Sequence, residues 1–165
     1  MGSDHSFDVV SKINLQELRN AIQQAQREIG TRFDFKGSSA SVTLEESPLV
    51  LKVTADHHAQ LNSVTEVVNS KLAKRGVALN AFAWDDPEQL PSGSMKRQAS
   101  VQQGLSHEKT KEILKVVKEL GLKVQSRVEG DLVRVSGKQL DDLQVVINAL
   151  QAKNFGIPIQ AENYR

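Results

Sequence analysis

The sequence predicts an α+β fold of two ferredoxin-like domains, each a four-stranded antiparallel sheet with two helices on one face. Three observations support this fold class. Patterns in the order β-α-β-β-α-β occur twice along the 165 residues, and the hairpin segment VTLEESPLVLKVTAD of the first half resembles VQSRVEGDLVRVSGK of the second. A segment rich in Pro, Gly and Ser, Asp85–Ser94, divides the chain near its middle. We therefore predict one domain over residues 1–90 and a second over residues 91–165, with this segment as the linker.

The first half contains two amphipathic helices between strand patterns. Asn14 precedes the first helix and is followed three residues later by Glu17, the spacing of a capping box, and apolar residues then recur every three or four positions. The second helix ends before Gly76, which favours a C-terminal cap. We give no structural weight to the opening Met1–Ser6. The strands predicted from alternating or continuous apolar patterns are Ser6–Lys12, Ala40–Glu45, Leu49–Thr54 and Leu79–Trp84.

The second half repeats this order. Ser106 has the position of a cap for a helix that ends at Gly121, and Ser136 with Gln139 has the spacing of a capping box for the last helix. The turn at residues 129–131 contains glycine and predicts a hairpin. The predicted strands are Met95–Gln102, Lys123–Val128, Leu132–Ser136 and Ile157–Tyr164.

Composition excludes several classes of protein. The chain has no cysteine, so it has no disulfide framework, thiolate metal site or cysteine nucleophile, which fits a reducing cytoplasm. No apolar run approaches the roughly 18 residues that a membrane span requires, and no signal peptide is visible. We expect a cytoplasmic protein with no membrane partner.

The two halves differ in charge. Residues 1–90 hold 9 Lys/Arg against 12 Asp/Glu, a net charge of −3, whereas residues 91–165 hold 12 against 8, a net charge of +4. Such sorting is typical of proteins that bind nucleic acids. The alternative is an ordinary solvated surface with an uneven distribution of charge.

Signals for an enzyme are poor. His57 and His58 follow Asp56 where a helix begins, and adjacent positions diverge by about 100° around a helix, so the two histidines are not expected to share one metal ion. A structural role as polar residues at a helix N-terminus explains the two histidines better than metal binding does. No nucleophile elbow, phosphate-binding glycine loop or run of metal ligands is present. We expect no enzymatic activity, no cofactor and no metal site.

The second-half hairpin provides the main candidate surface. Alternation places Val124, Ser126 and Val128 toward the core with Val133 and Val135. The opposite face carries the candidate nucleotide-binding residues Lys123, Gln125, Arg127 and Arg134, with Lys96 or Arg97 expected from the neighbouring strand. This set has no acid although the chain has 20 of them, and Arg and Lys bind phosphate through charge-assisted hydrogen bonds. The alternative is the polar face that many antiparallel sheets expose to water.

The segment Thr31–Gly37, TRFDFKG, interleaves two phenylalanines with charged residues. This pattern is typical of nucleic-acid-binding surfaces and also of half-buried extended segments. We predict that Phe33 and Phe35 pack against the core, and that Arg32 and Lys36 are further candidates for nucleotide binding. The two central strands of the predicted sheets have no aromatic residue and no RNP1 pattern, which argues against base-stacking recognition of single-stranded RNA.

Six short motifs follow one another along the chain, in the order SFDVVS, RFDFKG, KRG, KVQ, VRVSGK and DDLQ. Together they resemble the YajQ family of bacterial proteins from Ser6 to Arg165. The resemblance implies tandem ferredoxin-like, or RNP-like, domains and a cytoplasmic nucleotide-binding protein with no established enzymatic activity. It also implies that the strands at residues 6–12 and 95–102 are exchanged between the two domains. Some members of the family are regarded as cyclic di-GMP effectors.

The leading hypothesis is therefore a nucleotide-binding regulator whose ligand is cyclic di-GMP, GTP or ATP. An RNA-binding protein that uses the same basic face for phosphate contact is the first alternative. A module that binds another protein, or a second copy of itself, through its open sheets is the other. The identity of the nucleotide, the downstream partner and the oligomeric state are open at this point.

Overall fold

The computed structural model describes residues 4–165, and contacts divide the chain into two units. The split unit consists of the residues up to Lys12 together with Gln103–Arg165. The continuous unit consists of Ile13–Gln102. The chain therefore passes between the units twice, near residues 12–13 and near residues 102–103.

Each unit has two α-helices and one antiparallel sheet. The helices are α1 (Leu15–Thr31), α2 (His58–Lys74), α3 (His107–Glu119) and α4 (Leu140–Ala152), with short 3-10 turns at Phe33–Phe35 and Leu79–Ala81. The strands are β1 (His5–Val10), β2 (Ser41–Glu46), β3 (Leu49–Ala55), β4 (Phe82–Trp84), β5 (Glu88–Gln89), β6 (Met95–Val101), β7 (Val124–Glu129), β8 (Leu132–Gly137) and β9 (Gln160–Glu162). Within residues 4–165, no helix is long and apolar enough to cross a lipid bilayer.

The sheet topology confirms the predicted α+β fold class. The sheet of the split unit has the order β7-β8-β1-β9, and that of the continuous unit has the order β2-β3-β6-β4, with β5 paired to β6. Every pairing between neighbouring strands is antiparallel. Each sheet takes a central strand from the other half of the sequence, because β1 lies between β8 and β9, and β6 lies between β3 and β4.

The segment Asp85–Ser94 lies inside the continuous unit. Its strand β5 pairs with β6, where Glu88 is opposite Lys96, and the Asp85 amide donates to the Gln98 carbonyl at 2.8 Å. Pro, Gly and Ser are enriched in tight turns as well as in linkers, so composition does not distinguish the two. The units consequently differ from the predicted domains of residues 1–90 and 91–165 in their boundary, whereas β1 and β6 lie in the sheets to which the strand exchange implied by the resemblance assigns them.

Side-chain caps fix the start of two helices as predicted. The Asn14 side chain accepts a hydrogen bond from the Glu17 amide at 3.1 Å, and the Ser106 hydroxyl accepts one from the Lys109 amide at 3.2 Å. These bonds satisfy amides that have no partner within the helix. The cap predicted at Ser136 is wrong, because Ser136 is a β8 residue and α4 begins without a side-chain cap bond.

The core of the split unit depends on the first strand of the chain. Phe7 and Val9 of β1 are each 1% exposed and pack in one cluster with residues of β8, α3 and α4. Burying a side chain of this size contributes about 1.5–3 kcal/mol. Residues Val133 and Val135 of β8 are fully buried in the same cluster, so both helices cover one face of the sheet. The other face remains open.

The charge asymmetry of the two halves does not carry over to the units. The split unit has 11 basic and 10 acidic residues, and the continuous unit has 10 of each. The difference arises because Asp4, Asp8 and Lys12 belong with the second half of the sequence, whereas Lys96 and Arg97 belong with the first. Net charge therefore does not mark either unit as a nucleic-acid-binding domain.

Candidate functional site

The β7–β8 hairpin brings four of the predicted site residues together on the open face of the split unit. Arg127 lies directly opposite Arg134, and Gln125 lies directly opposite Ser136. Lys123 immediately precedes β7. We call this surface, formed by Lys123, Gln125, Arg127, Arg134 and Ser136, the hairpin face.

Two neighbouring depressions lie over the hairpin face. The larger, of about 550 Å³, is lined in part by Lys123, Gln125, Ser136 and Lys138. The smaller, of about 310 Å³, is lined in part by Gln125, Ser136, Arg127, Arg134 and Arg165. Because both share Asp4, Gln125 and Ser136, they are adjoining parts of one surface. Their volumes fall in the range of roughly 300–1,000 Å³ that is typical of small-molecule sites.

The expectation that the hairpin face lacks acids is wrong. Arg134 Nε lies 2.8 Å from Asp8 Oδ1, and Arg134 Nη1 lies 3.0 Å from Glu129 Oε2. Arg127 Nη2 lies 2.8 Å from Glu129 Oε1. Asp8 reaches Arg134 because the strand beside β8 is β1, in which Asp8 is directly opposite Arg134.

Lys96 and Arg97 do not contribute to the hairpin face. Both lie on β6 in the sheet of the continuous unit, where Lys96 is opposite Thr54. The Arg97 guanidinium lies 5.3 Å from the centroid of the Trp84 ring and donates from Nε to the Asp85 carbonyl at 2.8 Å. The prediction that one of them would extend the basic surface is therefore wrong.

Asp8 fixes the position of Arg134. The Asp8 side chain is 5% exposed, and its Oδ2 atom also accepts a hydrogen bond from Asn163 at 2.8 Å. The hydrogen bond from Arg134 lowers the pKa of the Asp8 carboxyl, in opposition to desolvation, and the hydrogen bond to Asp8 raises the pKa of Arg134. Both groups are therefore charged across the physiological pH range.

Three further cations line the depressions without a carboxylate within ion-pair distance among residues 4–165. They are Lys123 and Lys138 in the larger depression and Arg165 in the smaller one. Sequence reasoning did not single out Lys138 or Arg165. The available signal for Lys138 was its position two residues after the predicted strand Leu132–Ser136, in the motif VRVSGK. The position of Arg165 depends on the pairing of its backbone with Ser6. Asp4 also lines both depressions, so an anionic ligand would meet these cations together with one carboxylate.

Arg32 and Lys36, the other two predicted site residues, belong to the continuous unit and are not carried by the β7–β8 hairpin. Arg32 Nη2 lies 2.7 Å from Asp34 Oδ2, and its guanidinium lies 4.5 Å from the centroid of the Phe35 ring. Phe33–Phe35 form a 3-10 turn, so these side chains do not alternate between two faces as in a strand. Phe35 is 4% exposed as predicted, but Phe33 is 89% exposed, so the prediction that Phe33 packs in the core is wrong.

The histidine pair has the structural role predicted for it. His57 is the N-cap of α2, and its Nδ1 atom accepts a hydrogen bond from the Gln60 amide at 3.2 Å. In the described part of the chain, no group of three or more His, Asp or Glu side chains could hold a metal ion.

Comparison with known proteins identifies the family. The family model described as nucleotide-binding protein YajQ-like matches residues 5–165. A protein of Carboxydothermus hydrogenoformans is 42% identical over 165 residues, which cover 100% of both chains. Proteins of Geotalea daltonii and Trichlorobacter lovleyi are 47% and 45% identical over 161 and 160 residues, covering 97% of this chain and 98% of each relative. All three relatives are named nucleotide-binding protein. The chain therefore belongs to the family of YajQ-like proteins.

Proposed function

We propose that this chain is a non-enzymatic nucleotide-binding protein of the cytoplasm that holds the phosphate groups of its ligand on the hairpin face. The observation that carries the proposal is the pair of adjoining depressions, which are lined by all four residues predicted on the hairpin. Names of the family and of its relatives support a nucleotide as the ligand. From the family resemblance, we also propose a regulatory role in which cyclic di-GMP is the ligand of first choice.

The residues divide into two kinds of phosphate ligand. Arg127 and Arg134 present planar guanidinium groups, which bind phosphate in a bidentate manner. Lys123 and Lys138 supply point charges at the other end of the surface. Gln125 lies between them and offers an amide for a base edge or a ribose hydroxyl. Such a division suits a ligand that carries both phosphate and polar neutral groups.

Calorimetric titration tests the proposal. Cyclic di-GMP, GTP and ATP are titrated separately into wild-type protein and into the double variant Lys123→Glu, Arg127→Glu. A lost hydrogen bond to a charged group costs about 1.5–3 kcal/mol, so the double variant should lose at least a hundred-fold in affinity by order of magnitude. The matched control is Lys52→Glu with Lys96→Glu, which changes the net charge equally on the outer face of the other sheet. No heat with any of the three nucleotides would refute the proposal.

RNA binding by the same surface is the second candidate, because an open row of cations can also contact consecutive phosphates. The outer residues of the central strands β1 and β8 include Asp8, Arg134 and Ser136 and no aromatic side chain, which favours a nucleotide over stacked bases. The dependence of affinity on salt separates the two. A multi-phosphate RNA contact predicts a steep decrease in affinity with rising salt, whereas a single small nucleotide predicts a shallow one. Retention of all binding in the charge-reversed variant would instead favour a protein-interaction role.

A further inference from the structure

Glu129 bridges the two arginines of the hairpin face. It is the last residue of β7, and each of its carboxylate oxygens contacts a different guanidinium. Oε1 lies 2.8 Å from Arg127 Nη2, and Oε2 lies 3.0 Å from Arg134 Nη1. An oxyanion thus already lies between the two groups that the proposed function assigns to phosphate.

We propose that the Glu129 carboxylate occupies the position of a ligand phosphate and that a phosphate group binds between Arg127 and Arg134 by displacing it. Glu129 is then an internal competitor that weakens the binding of every anionic ligand at this site. The inference rests on the proposed function, since it names the phosphate position within the same surface.

The two carboxylates at Arg134 differ in how firmly they are held. Asp8 is 5% exposed and also accepts a hydrogen bond from Asn163. Glu129 is 38% exposed, and each of its two contacts is to a guanidinium. Asp8 binds Nε and Nη2 of Arg134, whereas Glu129 binds Nη1. Displacement of Glu129 therefore frees one edge of the Arg134 guanidinium while Asp8 keeps the side chain in place.

A phosphate has the physical properties needed to replace this carboxylate. The terminal phosphate of GTP carries a charge of about −1.5 to −2 at neutral pH and three acceptor oxygens, against a single charge and two oxygens for Glu129. Each phosphodiester of cyclic di-GMP carries a single charge and two free oxygens, which match those of the carboxylate that it replaces. Arg127 is 68% exposed, so it is free to reorient toward the incoming group. Release of Glu129 costs little free energy, because its side chain is already 38% exposed and exposed ion pairs are weak.

Removal of the competitor tests the inference. GTP and cyclic di-GMP are titrated calorimetrically into wild type, Glu129→Gln and the matched control Glu45→Gln. Glu45 also forms an ion pair on the outer face of a hairpin, in this case in the continuous unit. Its Oε1 atom lies 2.7 Å from Lys52 Nζ. Both variants raise the net charge by one, so long-range electrostatics acts on them alike. Circular dichroism and urea unfolding verify that both variants are folded.

We expect Glu129→Gln to bind about two-fold to ten-fold more tightly than wild type, from the loss of two exposed ion pairs, and Glu45→Gln to match wild type. The gain should become smaller when Arg127→Gln is added to both proteins, because Glu129 then contacts one arginine instead of two. Wild-type binding that is equal or stronger than that of Glu129→Gln would overturn this inference and leave the proposed function standing. An equal gain in both variants would also overturn it, since net charge alone would then explain the effect. Absence of binding in all three proteins would overturn the proposed function together with the inference.

Discussion

Asp8 and Arg134 form an ion pair between residues that are 126 positions apart in the sequence. Arg134 Nε lies 2.8 Å from Asp8 Oδ1, and Nη2 lies 3.4 Å from Oδ2. The two residues are directly opposite each other on β1 and β8. The pair therefore joins the first strand of the chain to the hairpin that carries the candidate site.

Replacement of Asp8 by Asn should lower the free energy of unfolding by about 1.5–3 kcal/mol, because it removes charge-assisted hydrogen bonds and leaves Arg134 with one carboxylate instead of two. Urea denaturation of the variant and wild type measures this difference. The control is Glu162→Gln on β9, which loses a 2.8 Å pair with Lys12 in which both side chains are well exposed. This control should cost less than about 1 kcal/mol. Equal losses of unfolding free energy in the two variants would contradict the claim that the buried position of Asp8 makes its ion pair the stronger one.

The stability contributed by Asp8 should depend on pH in a defined direction. The hydrogen bond from Arg134 lowers the pKa of folded Asp8 below its ordinary value of 3.8. The folded state therefore releases this proton more readily than the unfolded state, and the contribution is complete above the unfolded pKa and is lost as pH falls through the folded one. We expect the difference in unfolding free energy between wild type and Asp8→Asn to be constant from about pH 5 to 8 and to shrink below about pH 4. A difference that grows on acidification would have the wrong sign.

Local patterns in the sequence were sufficient to predict the helices and hairpins. Apolar residues at helical spacing are buried in α1, and the alternation in β8 correctly places Val133 and Val135 in the core. Each of these signals comes from residues that are close in sequence, and their spacing shows which face of the helix or strand is buried. For the same reason, the residues predicted to share the hairpin face do so.

Strand neighbours could not be predicted from the same patterns. Alternation indicates that a segment is a strand, but it does not say which strand lies beside it. The error at the hairpin face follows directly, because replacing the expected β6 neighbour with β1 removes Lys96 and Arg97 and introduces Asp8. Glu129 is the last residue of β7, and only side-chain geometry reveals that it bridges Arg127 and Arg134. The expectation of strand exchange came from the family resemblance and not from periodicity.

The two phenylalanines of the 3-10 turn should respond very differently to truncation. Phe35→Ala removes a side chain that is 4% exposed, so we expect a loss of about 3–5 kcal/mol in unfolding free energy. Phe33→Ala removes one that is 89% exposed and should change stability by less than about 0.5 kcal/mol. Thermal or urea unfolding compares the two directly. A large loss in Phe33→Ala would show that the side chain is buried in solution.

Gly104 should be more sensitive to alanine than other glycines with left-handed backbone. Its φ angle is +76°, and a Cβ atom there would overlap the Asp131 carboxylate, whereas Gly130 has a φ of +61° and nothing within 4 Å of the same position. Gly130→Ala should cost about 1–2 kcal/mol for backbone strain alone, and Gly104→Ala should cost clearly more in urea unfolding.

The added cost at Gly104 should depend on Asp131, because the overlap is with its side chain. The backbone here is held on both sides, since the Gly104 amide donates to the Ser11 carbonyl at 2.8 Å and the Leu105 amide donates to the Asp131 carbonyl at 2.9 Å. Relief by movement of the chain is therefore restricted. In the double variant Gly104→Ala, Asp131→Ala, the cost of the alanine should fall to that of Gly130→Ala, which a double-mutant cycle measures as coupling between the two positions. Strictly additive effects would show that backbone strain, and not the contact with Asp131, limits residue 104.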